Sequence, residues 1–246
     1  EHCPNLRQIV ILDCAFGSSA TNDLIKRCGH VLEDITLGSC ADESTAAESS
    51  RNDNTRLMTI ANHCPALVRL DVSGDVRSGT DGTGIAHGLR TISRRCSKLR
   101  SLTLNSCDLA DSDMQYILSE TASRCLRSLM LNACNNLTPA AFNRVASSTV
   151  PRVGGGPELA YVKIVDCKNL SGEDEVDTLV ALLKRSVRKK LWVSFCGEGE
   201  TSKVASYIKE NRCQKYWIKT EKHVSAPGQY VVNVEALPRK SLAARP

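Results

Sequence analysis

One pattern, L-x-x-L-x-L-x-x-C, recurs along this 246-residue chain and constrains its fold more than any other feature. Its first copy contains Leu6, Ile9, Ile11 and Cys14, and the ends of successive copies lie 26, 35, 32, 27, 33 and 29 residues apart. Repeats of roughly 20–50 residues are typical of chains that stack one supersecondary unit on the next. The later copies are Leu32–Cys40, Leu67–Asp75, Leu99–Cys107, Leu126–Cys134, Leu159–Cys167 and Arg188–Cys196.

Amphipathic segments lie between the copies and have apolar residues at helical spacing. They are Asn22–Arg27, Thr55–His63, Asp113–Arg124 and Pro139–Ser147. Asp111 and Thr138 stand at predicted N-cap positions, and Pro139 follows where its missing N–H costs nothing. Each unit is therefore predicted to contain a strand, a turn and a helix. Because one such unit cannot bury both its strand face and its helix face alone, we predict a stacked α/β fold.

The twelve cysteines follow the same repeat. One series ends the pattern, where we expect the weak S–H donor to face backbone carbonyls in the turn. A second series precedes the pattern, where we expect a small apolar side chain at a helix end. A disulfide needs Cα atoms within about 7 Å and convergent Cβ vectors, which a parallel ladder does not ensure. Reduced thiols indicate an intracellular protein, cytoplasmic or nuclear, and a secreted disulfide-rich domain is the alternative.

The unit C-P-x-L-x-x-L-x-L-x-x-C resembles the cysteine-containing leucine-rich repeat. It is almost complete in Cys3–Cys14 and is approached in Cys96–Cys107. The resemblance covers residues 1–219 and leaves 220–246 as a C-terminal cap and basic tail. It implies a right-handed solenoid with a parallel sheet on the concave face and helices on the convex face. The chain begins at the end of a predicted helix, so we expect an N-terminal cap or a preceding domain to be missing.

This repeat type is typical of F-box substrate receptors of ubiquitin ligases and of ribonuclease-inhibitor-like proteins. By analogy, a protein partner would lie against the concave face and the ascending loops. The first prediction is a protein-interaction module, specifically substrate recognition in a ubiquitin-ligase receptor. The adaptor that binds F-boxes would then attach through a missing upstream segment, since no F-box is present in the sequence.

Two other functions fit the same repeat. One is a structural subunit of a large assembly, whether ciliary, mitochondrial or ribonucleoprotein. The other is a hydrolase or GTPase-activating protein, which needs a catalytic arginine or nucleophile that the sequence does not mark.

The residues that alternate with the inward pair of each strand are expected on the concave surface. In the middle copies these residues are small and polar, whereas in the last copies they are larger. Aromatic side chains dominate binding hot spots because they offer large contact area at low entropic cost. We therefore predict a partner-binding patch formed by Met130, Tyr161, Lys163, Lys190 and Trp192. The alternative is that the tail Ala226–Pro246, with its strand-like Gln229–Val234, folds back and covers the patch.

Charge is distributed unevenly along the chain. Residues Lys184–Pro246 contain 14 Lys/Arg and 5 Asp/Glu, and the remainder contains 18 and 22. Such a basic block could meet an acidic protein, RNA or DNA, or form a solvated surface. Because the run Lys184–Lys190 lacks interleaved aromatic residues, an acidic protein fits at least as well as nucleic acid. No apolar stretch approaches the roughly 20 residues needed to cross a bilayer, so no membrane partner is expected.

No catalytic, cofactor or metal site is predicted. The glycine-rich Gly79–Gly84 lacks the Lys-Ser/Thr of a phosphate-binding loop and is interpreted as a turn. No C-x-x-C or H-x-x-x-H occurs, and the histidines are scattered. Three polar insertions, Ala41–Asn54, Gly74–Gly84 and Ser147–Pro157, are predicted as loops. We expect a protein that is not an enzyme.

Overall fold

The computed structural model describes residues 3, 5–12, 18–38, 46–76, 85–119, 125–142, 159–170, 177–178, 181–182, 190–196, 216–222 and 229–236. Within these residues, nine strands form one sheet in the order β1-β2-β3-β4-β5-β6-β7-β9-β8. The strands are β1 (Gln8–Ile11), β2 (Asp34–Leu37), β3 (Arg69–Val76), β4 (Ser101–Cys107), β5 (Ser128–Asn132), β6 (Tyr161–Val165), β7 (Lys190–Cys196), β8 (Tyr216–Lys222) and β9 (Gln229–Ala236). The helices are α1 (Ser18–Cys28), α2 (Ala46–His63), α3 (Ile85–Arg95) and α4 (Asp111–Ser119), with 3₁₀ helices at Gly29–Val31 and Pro139–Phe142.

Strands β1 to β7 run parallel and follow one another in chain order. Their register reproduces the sequence repeat from β1 to β6, because equivalent pattern positions are paired across each step. The successive partners at the second pattern position are Ile9, Ile35, Leu70, Leu102, Leu129 and Val162. The predicted α/β arrangement with a parallel sheet is therefore confirmed.

The alternation of each strand divides the sheet into a buried face and an open face. In β4 and β5 every second residue is buried, and the residues between them are half-buried. The buried rows join helix residues such as Ile25, Ile60, Ile92 and Ile117 in one hydrophobic core. Helices α1 to α4 contact one another in chain order. We call the other side, made of the residues that alternate with the buried ones, the open face.

A left-handed turn ends three successive strands. Ser106, Ala133 and Asp166 have φ angles of 53°, 51° and 49°, and each directly precedes a cysteine of the repeat. These turn cysteines (Cys107, Cys134 and Cys167) are buried. Their thiols donate to the carbonyls two residues earlier in the chain, at 3.5, 3.5 and 3.3 Å. The predicted contact between thiol and backbone carbonyl is confirmed at all three turns.

The second cysteine series is only partly as predicted. Cys28, Cys64 and Cys96 are buried, and the Cys96 thiol donates to the Cys64 carbonyl at 3.5 Å. Cys3 and Cys125 are exposed, so the prediction of an apolar slot is wrong for these two. Cys125 stands one residue before Leu126, whereas Cys96 stands three residues before the equivalent Leu99, so Cys125 does not occupy the equivalent position. The eight cysteines whose side chains are described are free thiols.

Two predicted loops are partly regular structure. Most of the insertion Ala41–Asn54 belongs to α2, which begins at Ala46. Helix formers such as alanine and glutamate explain this start. The residues from Gly74 to Val76 extend β3 through an irregularity in its register with β4. The insertion Ser147–Pro157 and the glycine-rich Gly79–Gly84 lie outside the described residues.

The N-cap prediction is confirmed for Thr138 but not for Asp111. The Thr138 hydroxyl accepts the Ala140 N–H at 3.2 Å, although the described residues that follow form a 3₁₀ helix rather than an α-helix. Asp111 is the first residue of α4, and its carboxylate accepts the Thr138 N–H at 2.7 Å. The side chain expected to cap its own helix therefore ties α4 to the next turn.

Candidate interaction surface

The open face carries exposed apolar side chains near β1, the first parallel strand, and on β6, the sixth. Val10 is 53% exposed on β1, and Leu12, which follows in the same alternation, is 50% exposed. Gly38 directly follows β2, and a Cβ atom there would lie 2.7 Å from Cδ2 of Leu12, so a larger residue would force the Leu12 side chain to move. On β6, Tyr161 is 36% exposed. Between these ends the face is lined by smaller polar residues such as Thr36 and Thr103, both half-buried.

The five predicted patch residues lie on three adjacent strands, β5, β6 and β7. Met130 of β5 pairs with Lys163 of β6, and both are half-buried. Tyr161 of β6 pairs with Trp192 of β7. Lys190, at the start of β7, is paired on its other side with Glu235 of β9.

The register of β7 differs from the repeat by two residues. The sequence pattern aligns Leu191 with Val162, but the structure pairs Val193 with Val162 and Phe195 with Ile164. The last copy of the pattern begins at Arg188, whereas every other copy begins at a leucine. The sequence therefore determined only weakly which residues of β7 align with those of β6. A shift of two preserves the face of every residue. Its effect is to place Trp192, rather than Lys190, beside Tyr161.

Among the described residues, the C-terminal strands β8 and β9 extend the sheet beyond β7. Strand β9 pairs antiparallel with β7 and β8 pairs antiparallel with β9, so the described tail strands lie beside the patch. The strand predicted at Gln229–Val234 is confirmed within β9. The predicted boundary between residues 219 and 220 falls inside β8.

The hairpin adds residues that sequence reasoning missed. By register, Asn233 lies next to Trp192, and Lys219 lies next to Asn233 in the same row. Trp217 and Glu235 form the neighbouring row with Lys190. The alternation in Tyr216–Lys222 could have indicated a strand. Nothing in the repeat indicated which strand it would join.

An ion pair and a half-buried carboxylate occupy the open face at β2 and β3. The Arg69 guanidinium contacts the Asp34 carboxylate at 2.8 and 2.9 Å, and this contact raises the pKa of Arg69. Asp71 accepts a hydrogen bond from the Asn105 amide at 3.1 Å. Burial, and then the charge of Asp34, raise the pKa of Asp71. Arg69 and Asp34 therefore neutralise each other on this part of the face.

The buried thiols of Cys64, Cys96 and Cys167 are poor candidates for chemistry. Burial raises the pKa of Cys64 and that of Cys96 to about 12. The hydrogen bond with the Cys134 thiol, and then burial, raise the pKa of Cys167. A thiol held protonated is neither a nucleophile nor a metal ligand. Among the described residues, no group of three or more His, Cys, Asp or Glu is arranged to hold a metal ion.

No family model matches the chain, and no curated protein has a significantly similar sequence. None of the helices in the described ranges is long and apolar enough to cross a membrane.

Proposed function

We propose that this chain is part of a leucine-rich-repeat solenoid of the cysteine-containing type, whose open face binds another protein. Two repeated features support the solenoid. Equivalent pattern positions pair in register from β1 to β6. The same left-handed turn and buried cysteine end β4, β5 and β6. Identical coils of this kind bury their faces only by stacking on one another.

One observation carries the binding function. Four large hydrophobic side chains are exposed in the described part of the chain, and three of them, Val10, Leu12 and Tyr161, belong to the open face. The fourth is Leu24 on α1. Exposed apolar surface rimmed by polar residues is typical of protein-interaction sites. Near Tyr161, the register adds Trp192 and the lysines of the patch, which gives the mixed aromatic and charged composition of a hot spot.

The specific role that we propose is substrate recognition in a ubiquitin-ligase receptor. The repeat type supports this role by resemblance, and the buried free thiols are compatible with a reducing compartment. The full-length protein is then expected to co-purify with the adaptor that binds F-boxes. Recovery of the full-length protein without that adaptor, but within a stable large particle, would favour the structural-subunit alternative.

The binding surface is tested by site-specific photo-crosslinking in cells. A benzoyl-phenylalanine replaces Tyr161 or Met130 on the open face, and Leu24 on α1 serves as the matched exposed control. We expect one cross-linked protein from the open-face positions and none in common with the control. The cross-linked protein is then purified and its affinity for this chain is measured directly.

The affinity measurement decides the role of the patch. Loss of a hot-spot aromatic residue costs at least about 1.4 kcal/mol of binding, which is a tenfold rise in Kd. We expect this rise for Tyr161→Ala and for Trp192→Ala, with Leu24→Ala unchanged. Equal affinities for all three variants would show that the partner binds elsewhere.

A further inference from the structure

One row of the open face crosses the six parallel strands from β1 to β6, and we call it the middle row. In it, every second strand up to β5 carries an apolar or acidic residue, and the strands between them carry threonine. Because neighbouring strands lie about 4.8 Å apart, the residues that are not threonine recur at intervals of about 9.6 Å. In order, the middle row contains Val10, Thr36, Asp71, Thr103, Met130 and Lys163.

Asp71, at the centre of this row, carries a negative charge that the described residues do not balance. Its carboxylate is half-buried and accepts one hydrogen bond, from the Asn105 amide at 3.1 Å. Arg69 lies two residues earlier on the same face, but its guanidinium contacts Asp34 at 2.8 Å. Within the described part of the chain, Asp71 therefore has no ion-pair partner. Burial without a cation disfavours a carboxylate, so a basic group that a partner brings to Asp71 would be stabilised there.

The rows on either side of the middle row carry short side chains, apart from Arg69, which is paired with Asp34. Residues two apart along a strand are about 6.6 Å apart, so the two flanking rows are separated by about 13 Å. An α-helix with its side chains is about 10–12 Å across. The face therefore has room for one helix above the middle row. From β3 to β5, the flanking rows contain Ser73, Asn105 and Asn132 on one side and Arg69, Ser101 and Ser128 on the other.

The spacing of the middle row matches an α-helix that crosses the strands. Helix residues seven apart lie on nearly the same side and about 10.5 Å apart, which is within about 1 Å of the interval in the row. In an extended segment, side chains on one side recur at about 6.8 Å, which is too short, and the next repeat, at about 13.6 Å, is too long. Residues i, i+7 and i+14 of a helix would therefore lie over Val10, Asp71 and Met130.

The charge beyond Met130 sets the direction of such a helix. Lys163 is paired with Met130 and continues the middle row on β6. The C-terminus of a helix carries a partial negative charge, which a lysine stabilises. A helix on this face would therefore run from β1 towards β6 and end near Lys163.

We propose that the open face binds one α-helix of a partner protein, with an arginine or lysine of that helix over Asp71. Apolar residues seven positions before and after it contact Val10 and Met130. The inference rests on the proposed function, because the helix belongs to the protein that the open face binds. Charge complementarity supports a basic residue at the centre, and the exposed Val10 supports an apolar residue at the start.

The first experiment measures the binding of a synthetic helix to the intact chain by fluorescence anisotropy. The probe is a fluorescein-labelled peptide of 22 residues, built from alanine and glutamine, with leucine at positions 4 and 18 and arginine at position 11. One comparison peptide has glutamate at position 11, and another has the arginine moved to position 13, about 200° around the helix. We expect each comparison peptide to bind at least tenfold more weakly than the probe.

Substitutions in the chain assign the effect to Asp71. We expect Asp71→Asn to weaken the probe at least fivefold and to change the binding of a peptide with glutamine at position 11 less than twofold. Asp23→Asn, on the exposed surface of α1, removes the same charge elsewhere and should change probe binding less than twofold. Asp71→Lys should reverse the preference, so that the glutamate peptide binds more tightly than the probe. Because both peptides are compared on the same variant, a general loss of folding cannot produce this reversal.

Three results would overturn the proposal. They are equal affinity of the probe and the glutamate peptide, equal weakening by Asp71→Asn and Asp23→Asn, and undiminished binding of a probe with proline at positions 8 and 15. The last result would show that the open face binds an extended segment, because proline inside a helix breaks it.

The partner found by cross-linking separates this inference from the proposed function. If that partner binds the Asp71→Asn variant as tightly as the parent chain, the basic helix is wrong and the protein-binding function stands. If no protein cross-links to the open face, the proposed function fails, and the peptide titration still decides whether Asp71 binds a basic helix.

Discussion

The turn cysteine Cys134 provides a sharp test of how the repeat is stabilised. Its side chain is fully buried, and its thiol donates to the carbonyls of Leu104 and Asn132, both at 3.5 Å. The N–H of Cys134 in turn donates to the Cys167 sulfur at 3.4 Å. These distances suit sulfur but exceed the roughly 3.0 Å that a hydroxyl needs. Serine should therefore be a worse replacement than alanine, despite its closer chemical likeness.

The magnitudes follow from the size of the group that is lost. Cys134→Ala removes one buried heavy atom, worth about 0.8 kcal/mol in transfer. The cavity of roughly 25 Å³ that remains costs about 0.6 kcal/mol more, so the total loss is near 1.5 kcal/mol. Cys134→Ser leaves a buried hydroxyl at poor hydrogen-bond distance, which costs about 1–3 kcal/mol by itself. We expect about 2–3 kcal/mol for serine.

The assay is thermal and urea unfolding of the purified chain under reducing conditions. For a chain of this size, each kcal/mol lowers Tm by about 2–4 °C, so serine should lower it by roughly 5–10 °C. Cys125→Ser is the matched control: this cysteine is exposed, and its loss should stay within about 0.5 kcal/mol. If Cys134→Ser proves as stable as the parent, the sulfur contacts do not stabilise the turn and the reasoning is refuted.

Three further predictions concern the turns, the open face and the buried thiols. Ala133→Gly should raise the free energy of unfolding by roughly 0.5–1 kcal/mol because φ is 51° there, whereas Ala61→Gly inside α2 should lower it by about 1 kcal/mol or more; urea titration measures both. Asp71→Asn should be more stable than the parent at pH 7. Since the folded-state pKa of Asp71 is raised, this difference should close as pH falls towards about 4, as urea titrations at several pH values would reveal. At pH 8, iodoacetamide should alkylate Cys125 and leave Cys64 unmodified, as judged by mass spectrometry.

The parallel sheet could be predicted because the repeat determines it locally. Leucine-type residues two apart place one face of each strand inward, and their recurrence sets which residues pair across strands. The rows through Ile9, Ile35 and Leu70 follow the pattern without a shift. The position of the turn cysteines could be predicted for the same reason. Their left-handed neighbours could not, because Ser106, Ala133 and Asp166 share no residue type that marks positive φ.

The last part of the sheet could not be predicted from the repeat. Strand β7 is shifted by two residues from the repeat where it pairs with β6. On its other side it pairs antiparallel with β9, which lies about forty residues further along the chain. A local pattern contains no information on that pairing. The pairing of Trp192 with Tyr161, and the neighbours Asn233 and Lys219, were consequently missed.

The change of strand direction at β9 determines where a further strand–helix unit could be added to the sheet. Each parallel strand from β1 to β7 presents carbonyl and N–H groups to the next strand in the same direction, so a strand–helix unit inserted within this run would meet neighbours of the same orientation. Strand β9 runs the opposite way, and its outer edge is already used by β8. Duplication of a coil should therefore be tolerated inside the array and rejected beyond the hairpin. The β8–β9 hairpin therefore ends the series of parallel strands.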